Sequence, residues 1–214
     1  MKTDALIAML ARGPVRADPR EPSRRLAMAT VAGLVASTLA MLIVLRPRAD
    51  LADATSQPMF WLKLVLPLLV AGAAFVATSR LARPGDRAEV PARFAGALLV
   101  ALWTMALVVV AITPGDDRAR VVVGTSALPC VVAIAALSLP LLVAAFIALR
   151  SLAPTRPRVA GLAAGALAGG LAAAVYALHC TETTLPFLAL WYVLGMALPA
   201  LAGAWLGPSL LRWR

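Results

Sequence analysis

The sequence predicts an all-α polytopic membrane protein with six transmembrane helices and both termini in the cytoplasm. Of the 214 residues, 62% are hydrophobic and only 14% are charged, and the mean hydropathy is +0.88. A soluble domain of this size needs a larger polar surface. Six apolar runs are long enough to cross a hydrocarbon core of roughly 30 Å, which takes about 20 helical residues. The basic residues are also distributed unevenly between alternate connections.

The six predicted spans follow one another with no room for a soluble domain between them. They are Leu26–Leu45, Met59–Thr78, Ala92–Ile112, Ala127–Leu149, Val159–Leu178 and Leu185–Leu206. The first apolar run is longer than the core of a cleavable signal peptide, so we expect it to be retained as a span. The predicted organisation is therefore an N-terminal cytoplasmic segment (1–25), a transmembrane domain (26–206) and a short cytoplasmic tail (207–214).

The connections between the spans are short and carry turn and charge signals. They read "RPRADLADATSQP", "RLARPGDRAEVP", "TPGDDRARVVVGTS", "RSLAPTRPR" and "HCTETT". Fifteen of the 20 Lys and Arg residues lie in the N-terminal segment, the second and fourth connections and the tail, while the ten acidic residues divide equally between the two sides. The positive-inside rule then places both termini in the cytoplasm, as expected for a multi-pass protein of a bacterial inner membrane. The net charge of +10 is thereby explained without a nucleic-acid partner.

The second span begins with residues typical of a membrane interface. Phe60 and Trp61 are predicted to lie at the headgroup level on the extracytoplasmic side. Lys63 follows about one turn into the helix, from where its side chain can reach back toward water. On this interpretation Lys63 needs no functional role.

Glycine and proline mark the interiors of several spans. Glycine recurs every fourth residue in the fifth span, at Gly161, Gly165 and Gly169. Such a stripe lets another backbone approach closely, and we expect packing inside the protein rather than dimerisation. Pro67, Pro140 and Pro199 fall within the second, fourth and sixth spans, where they are predicted to kink the helices.

The predicted topology brings both cysteines to one layer. Cys180 ends the fifth span beside the only histidine, His179, and Cys130 lies one turn past the extracytoplasmic start of the fourth span. That face of a bacterial membrane is oxidising, so a disulfide or a reactive dithiol is permitted there. His179 could stabilise a thiolate and raise its reactivity toward oxidants and soft metals. The alternative is that both cysteines are small buried hydrophobes without chemistry.

Other kinds of site find little support in the sequence. Cys130, His179, Cys180 and Glu182 could supply four ligands, but their spacing matches no standard zinc module, so no permanent metal is predicted. No phosphate-binding glycine loop, HExxH motif or marked catalytic triad occurs, and we predict neither enzymatic activity nor a cofactor. The spans hold no Asp or Glu at membrane depth, which argues against an ion-coupled transporter.

The cytoplasmic N-terminal segment, "MKTDALIAMLARGPVRADPREPSRRL", divides into two parts. Thr3 or Asp4 can cap a short helix with an apolar side, which ends at Gly13-Pro14. An extended basic tether follows. A helix this short is marginal alone, so its apolar side must be buried, either at the membrane surface or in the groove of a partner protein. The residues leave both alternatives open.

Five stretches together resemble a known family. They are the start "MKTDALIAML" with the following "PVR", the "LRPRADL" that closes the first span, the "LPC" of the fourth span, "ALHCTE", and "ALWYVLG". In this order and with the same spans, they resemble the NrsF family of six-span membrane anti-sigma factors. The resemblance extends over the whole chain.

The resemblance implies a function for the two regions singled out above. The N-terminal segment would bind an extracytoplasmic-function (ECF) sigma factor of the sigma-F type and keep it from RNA polymerase. Its contact residues would be Lys2, Thr3, Asp4, Leu6, Ile7 and Leu10. Cys130 and Cys180, with His179 beside them, would sense oxidative or heavy-metal stress, with transient soft-metal binding at the two thiols. Membrane lipids would also be partners, with no direct contact to nucleic acid. The alternative function is a small transporter or lipid-binding bundle with an interfacial N-terminal helix.

Overall fold

Six long helices form the computed structural model of the protein, which describes residues 3, 7, 21–83, 87–152 and 154–211. Each is long and apolar enough to cross a membrane. Helix α1 (Glu21–Ala40) continues through a π-helical turn (Met41–Leu45), and α2 to α5 span Pro58–Leu81, Glu89–Ile112, Ala127–Arg150 and Pro157–Tyr176. Helix α6 (Leu185–Leu210) contains a second π-helical turn, Leu188–Tyr192. The described residues contain no β-strand.

The observed helices overlap all six predicted spans, with shifts at their ends. Helix α1 begins at Glu21, so the last residues of the predicted N-terminal segment are already helical, and Arg25 pairs with Glu21 one turn away. The third connection contains a short helix, Gly115–Val123, where the sequence showed only turn and charge signals. Asp116 and Asp117 lie in its first turn, where carboxylates favour a helix N-terminus.

Helix α5 lies at the centre of the bundle. In the apolar stretch of α5, 78% of the residues are buried, whereas in that of α3 only 11% are. Helix α5 packs against α6, α2 and α4, and α1 packs mainly against α4. The composition of α5 explains its position, because Ala and Gly dominate it and small side chains let three neighbours approach.

The glycine stripe of α5 forms the contact with α6, as predicted for internal packing. A Cβ atom on Gly161 or Gly165 would overlap a backbone carbonyl of α6, at Gly203 and Pro199 respectively. Gly203 in turn faces Gly161, so neither helix can carry a larger residue there. We call this contact, formed by Gly161, Gly165, Gly169 and their partners on α6, the glycine seam. Gly170 on another side of α5 lies against Pro67 and Ala71 of α2.

The connections 46–57, 113–126 and 177–184 meet at one end of the bundle, which we call the loop end. Between α5 and α6, His179–Thr184 form the 179–184 loop. Backbone hydrogen bonds from His179 and Cys180 to the Tyr176 carbonyl carry the chain out of α5 into this loop. The loop lies next to the start of α2, the chain before α4 and the chain after α1, because the side chains of Lys63, Thr125 and Arg48 donate hydrogen bonds to it.

Candidate functional site

The two cysteines lie together at the loop end. Cys130 is in the first turn of α4 and fully buried, and Cys180 follows α5 and is only 3% exposed. Both thiols are free, and they are close enough to act on each other electrostatically. The structure thus places Cys130 and Cys180 in the same layer, as the predicted topology implied, and both side chains are buried in it.

Two tyrosines adjoin the thiols, and the sequence analysis did not single them out. Tyr176 lies beside Cys130, and Tyr192 beside Cys180. Their ring centroids are 5.9 Å apart. Tyr192 is fully buried, and its hydroxyl has no hydrogen-bond partner among the described residues. A buried hydroxyl without a partner is costly. The sequence signal was that Tyr176 and Tyr192 lie on either side of the loop, in two consecutive predicted spans.

The His179 side chain contacts the chain after α1. Its Nδ1 donates a hydrogen bond of 2.7 Å to the backbone carbonyl of Arg46, at the end of the π-helical turn that closes α1. Its ring is tilted against Tyr176, with centroids 5.7 Å apart. Arg46 has a positive φ of 62°, an uncommon conformation for a residue with a side chain. His179 therefore fixes the turn after α1 to the 179–184 loop.

Lys63 corrects the expectation of a side chain that reaches out to water. It is 1% exposed, and its Nζ donates hydrogen bonds to the backbone carbonyls of Cys180, at 2.9 Å, and of Glu182. An ammonium group in such a place is costly unless it is paired and hydrogen-bonded. Phe60 is likewise buried, whereas Trp61 is half exposed and donates to the Thr55 carbonyl, consistent with an interfacial position.

A second cation, Arg48, approaches the same carbonyl. Its Nη1 lies 3.4 Å from the Cys180 oxygen, and its backbone N–H donates to Leu178. Its Nε and Nη2 form a two-pronged ion pair with the Asp50 carboxylate, at 2.7 and 2.6 Å. These hydrogen bonds lower the pKa of Asp50 to about 2 and raise the pKa of Arg48. The segment after α1 is thus bound to the 179–184 loop by side chain and backbone.

Glu182 is engaged by the chain before α4. Its Oε1 accepts hydrogen bonds from the Thr125 backbone N–H (2.8 Å), the Thr125 hydroxyl (2.7 Å) and the Ser126 hydroxyl (3.3 Å). Burial acts to raise the pKa of Glu182, but these hydrogen bonds outweigh it and the pKa is lowered. Gly124, at φ +59°, packs so closely that a Cβ atom would meet Glu182 and Phe187. Glu182 is therefore a structural residue of the loop.

The remaining contacts bind the loop end together. The Thr184 hydroxyl donates to the Val121 carbonyl, and the Trp191 indole N–H donates to the Val122 carbonyl at 2.9 Å. Within the part of the chain that the structure describes, no three His, Cys, Asp or Glu side chains are grouped as metal ligands. Of the four ligands considered from the sequence, two have other partners: His179 bonds to Arg46, and Glu182 bonds to Thr125.

The predicted sigma-binding residues fall largely outside the described residues. This applies to Lys2, Asp4, Leu6 and Leu10. Thr3 and Ile7 are helical and exposed, and Ile7 shows 58% of its surface.

Comparison with known proteins identifies the chain's relatives. The family described as "Negative regulator of sigma F" matches residues 10–213. The chain is 41% identical over 214 residues to the "Probable anti-sigma-F factor NrsF" of Azospira oryzae. It is also 41% identical over 215 residues to the "Anti-sigma-F factor NrsF" of Caulobacter vibrioides. Both alignments cover 100% of each chain. No solved structure matches.

Proposed function

We propose, since this chain belongs to the NrsF family of negative regulators of sigma F, that it is an anti-sigma factor of the bacterial inner membrane. Its cytoplasmic N-terminal segment holds an ECF sigma factor of the sigma-F type inactive. Oxidants or soft metals acting at Cys130 and Cys180 release that sigma factor. The transporter alternative loses its support, because both full-length relatives carry the name of an anti-sigma factor.

The proposed orientation follows from the helices and the charges. An even number of crossings leaves both termini on one side, and the basic excess favours the cytoplasm for that side. The loop end then faces the extracytoplasmic space, where a thiol pair meets external oxidants and metals. The N-terminal segment is left next to the soluble partner.

One observation carries the sensing proposal: the two free thiols are both buried at the loop end, Cys130 in the first turn of α4 and Cys180 just after α5. A closed layer of this kind cannot accept a metal ion, an added oxygen or a disulfide without movement, because overpacking of a core forces backbone shifts. We infer that reaction at the thiols shifts α4 and α5 relative to each other.

A connection from this layer to the N-terminal segment runs through α1. The loop that contains Cys180 is bonded to the segment after α1 by His179 and Arg48. The other end of α1 begins at Glu21, directly after the N-terminal segment. Only 17% of the residues in the apolar stretch of α1 are buried, so few contacts hold this helix in place. A coupling free energy of about 1–3 kcal/mol between the thiol layer and the N-terminal segment would change sigma affinity about 5–150-fold.

The exposed Ile7 supports a docking role for the N-terminal segment. Its apolar side needs a partner, and a groove on the sigma factor would supply one. The competing partner is the membrane surface, against which the same side could lie.

The experiment is a co-purification with the host sigma factor. The detergent-solubilised full-length protein is compared with a variant that lacks residues 2–20, a deletion that stops before α1 and leaves the bundle intact. Capture by the full-length protein alone supports the proposal. Capture by neither would assign the N-terminal segment to the membrane surface.

The sensing step is tested separately in cells. A Cys130→Ser, Cys180→Ser variant should still bind the sigma factor but should not release it when oxidant or cadmium is added. A Ser126→Ala variant, altered next to Glu182 but not at a thiol, is the matched control. Normal release by the double variant would refute sensing at the thiols and leave the anti-sigma activity standing.

A further inference from the structure

The buried Lys63 ammonium lies next to the thiol pair. Its Nζ donates to the carbonyls on both sides of Thr181, which places the positive charge beneath the 179–184 loop. Lys63 is close enough to Cys180 and Cys130 for their charges to act on one another. A buried ammonium is stable when an anion can balance it.

Two carboxylates of the loop end, Asp50 and Glu182, are already engaged by other groups. Asp50 is held in the ion pair with Arg48. Glu182 also acts on Lys63 electrostatically, but its carboxylate accepts hydrogen bonds from Thr125 and Ser126. Within the described residues, no carboxylate is in ion-pair contact with Lys63. Among the remaining ionisable groups at this place, a thiol is ordinarily more acidic than a tyrosine hydroxyl, so the thiols are the candidates for the anion.

The tyrosine hydroxyls suit an anionic sulfur at the same place. The Tyr192 hydroxyl is buried next to Cys180, which lies within reach of its proton, and it has no other partner among the described residues. Tyr176 adjoins Cys130 in the same way. A thiolate accepts such hydrogen bonds more strongly than a thiol does. The Lys63 ammonium and two hydroxyls thus lie near the two cysteines, together with Arg48, whose charge Asp50 balances.

We propose that Lys63 activates the thiol pair: its ammonium stabilises the negative charge that the Cys180 sulfur carries as it reacts, and its hydrogen bond to the Cys180 carbonyl holds that residue in place. This proposal deepens the proposed function and rests on the thiols being its reactive site. Lys63 acts as a positioning residue, since it does not itself form a bond to the oxidant or metal. The thiolate is the form of cysteine that reacts.

The probe is N-ethylmaleimide, an uncharged electrophile whose reaction requires no other group. Cys180 gives its proton to solvent, its sulfur adds to the carbon–carbon double bond, and the neighbouring carbon takes a proton from water. Cys130→Ser leaves Cys180 as the single reactive thiol. The second-order rate of alkylation is measured at neutral pH on the full-length protein in lipid nanodiscs, with and without Lys63→Met.

The charge and a purely structural role predict opposite results. A unit charge at this depth changes an ionisation equilibrium by about tenfold or more. Lys63→Met should therefore slow alkylation of Cys180 at least tenfold, and Lys63→Arg should restore it to within about threefold. If Lys63 only held the loop closed, Lys63→Met would expose the thiol and speed its alkylation. An unchanged or faster rate would overturn the proposal.

Two further measurements keep the result interpretable. Thermal unfolding identifies any variant that fails to fold, and Lys63→Gln, which keeps an amide donor for the carbonyls, then takes the place of Lys63→Met with the same expected slowing. The cellular release test stands apart. If the double-cysteine variant releases the sigma factor normally, the proposed sensing fails even when Lys63→Met slows alkylation. If the thiols are required but Lys63→Met alkylates at the parent rate, only the role of Lys63 fails.

Discussion

The glycine seam and the loop end hold the helix bundle together by different means. In the seam, α5 and α6 meet through backbone atoms at Gly161, Gly165 and Gly203, with no side chain between them. At the loop end, the contacts are the hydrogen bonds of Lys63 and Glu182 and the ion pair between Arg48 and Asp50. Close van der Waals packing allows one arrangement of the helices, whereas polar contacts depend on protonation and on the chemistry of neighbouring groups. The seam is therefore suited to a fixed frame, and the loop end to a change of state.

The largest expected effect comes from a substitution in the seam. Gly165→Leu places a side chain where a Cβ atom alone would overlap the Pro199 carbonyl oxygen, which is backbone and cannot turn away. We expect a loss of about 3 kcal/mol or more, and little folded protein. Gly72→Leu is the matched control, because nothing lies within 4 Å of a Cβ atom there. Thermal unfolding in detergent, followed by circular dichroism, measures both. Equal stability of the two variants would contradict the rigid seam.

A smaller effect is expected from the carboxylate at the loop end. Glu182→Gln keeps the shape of the side chain but removes the charge that accepts three hydrogen bonds from Thr125 and Ser126. We expect a loss of about 1–2 kcal/mol in the free energy of unfolding. Asp116→Asn, at an exposed carboxylate without a partner of this kind, should change it by less than about 0.5 kcal/mol. If both variants unfold alike, Glu182 does not fix the loop.

Acid should weaken the loop end and leave the seam unchanged. The pKa values of Asp50 and Glu182 are lowered in the folded protein, so their stabilisation is present above their ordinary values of about 4. It is lost as the pH falls, for Asp50 through about 2. The melting temperature should therefore drop modestly between pH 5 and pH 2, as defined by these pKa values. Asp50→Asn should show a smaller drop over the same range. An equal drop in both proteins would remove Asp50 from the account.

The sequence predicted the frame better than the site. Apolar length located all six helices, and glycine spacing identified the face of α5 that meets α6. Both properties are periodic along one chain segment, so a single sequence reveals them. The short helix Gly115–Val123 was missed because its charged residues resemble a turn.

The site depends on contacts between segments far apart in the chain. Lys63 was assigned to water because lysines at helix ends usually reach it, whereas the 179–184 loop places two backbone carbonyls over its ammonium. Tyr192 looked like an ordinary aromatic residue, since only the packed structure shows its unpartnered hydroxyl beside Cys180. Periodicity carries no information about which carbonyl faces a given side chain. The sequence could therefore identify the cysteine layer but not the groups that surround it.

The smallest expected effect concerns the residue that adjacency made most attractive. The Nδ1 atom of His179 donates to the Arg46 carbonyl, so the observed hydrogen bond of the ring is to the turn after α1. In the Cys130→Ser background, His179→Gln should alkylate with N-ethylmaleimide at Cys180 within about twofold of the parent rate. The glutamine amide can still donate to Arg46. If Lys63→Met slows alkylation tenfold and His179→Gln leaves the rate nearly unchanged, the activating charge belongs to Lys63, which is far from Cys180 in sequence. A slowing of fivefold or more would return that role to the histidine next in sequence.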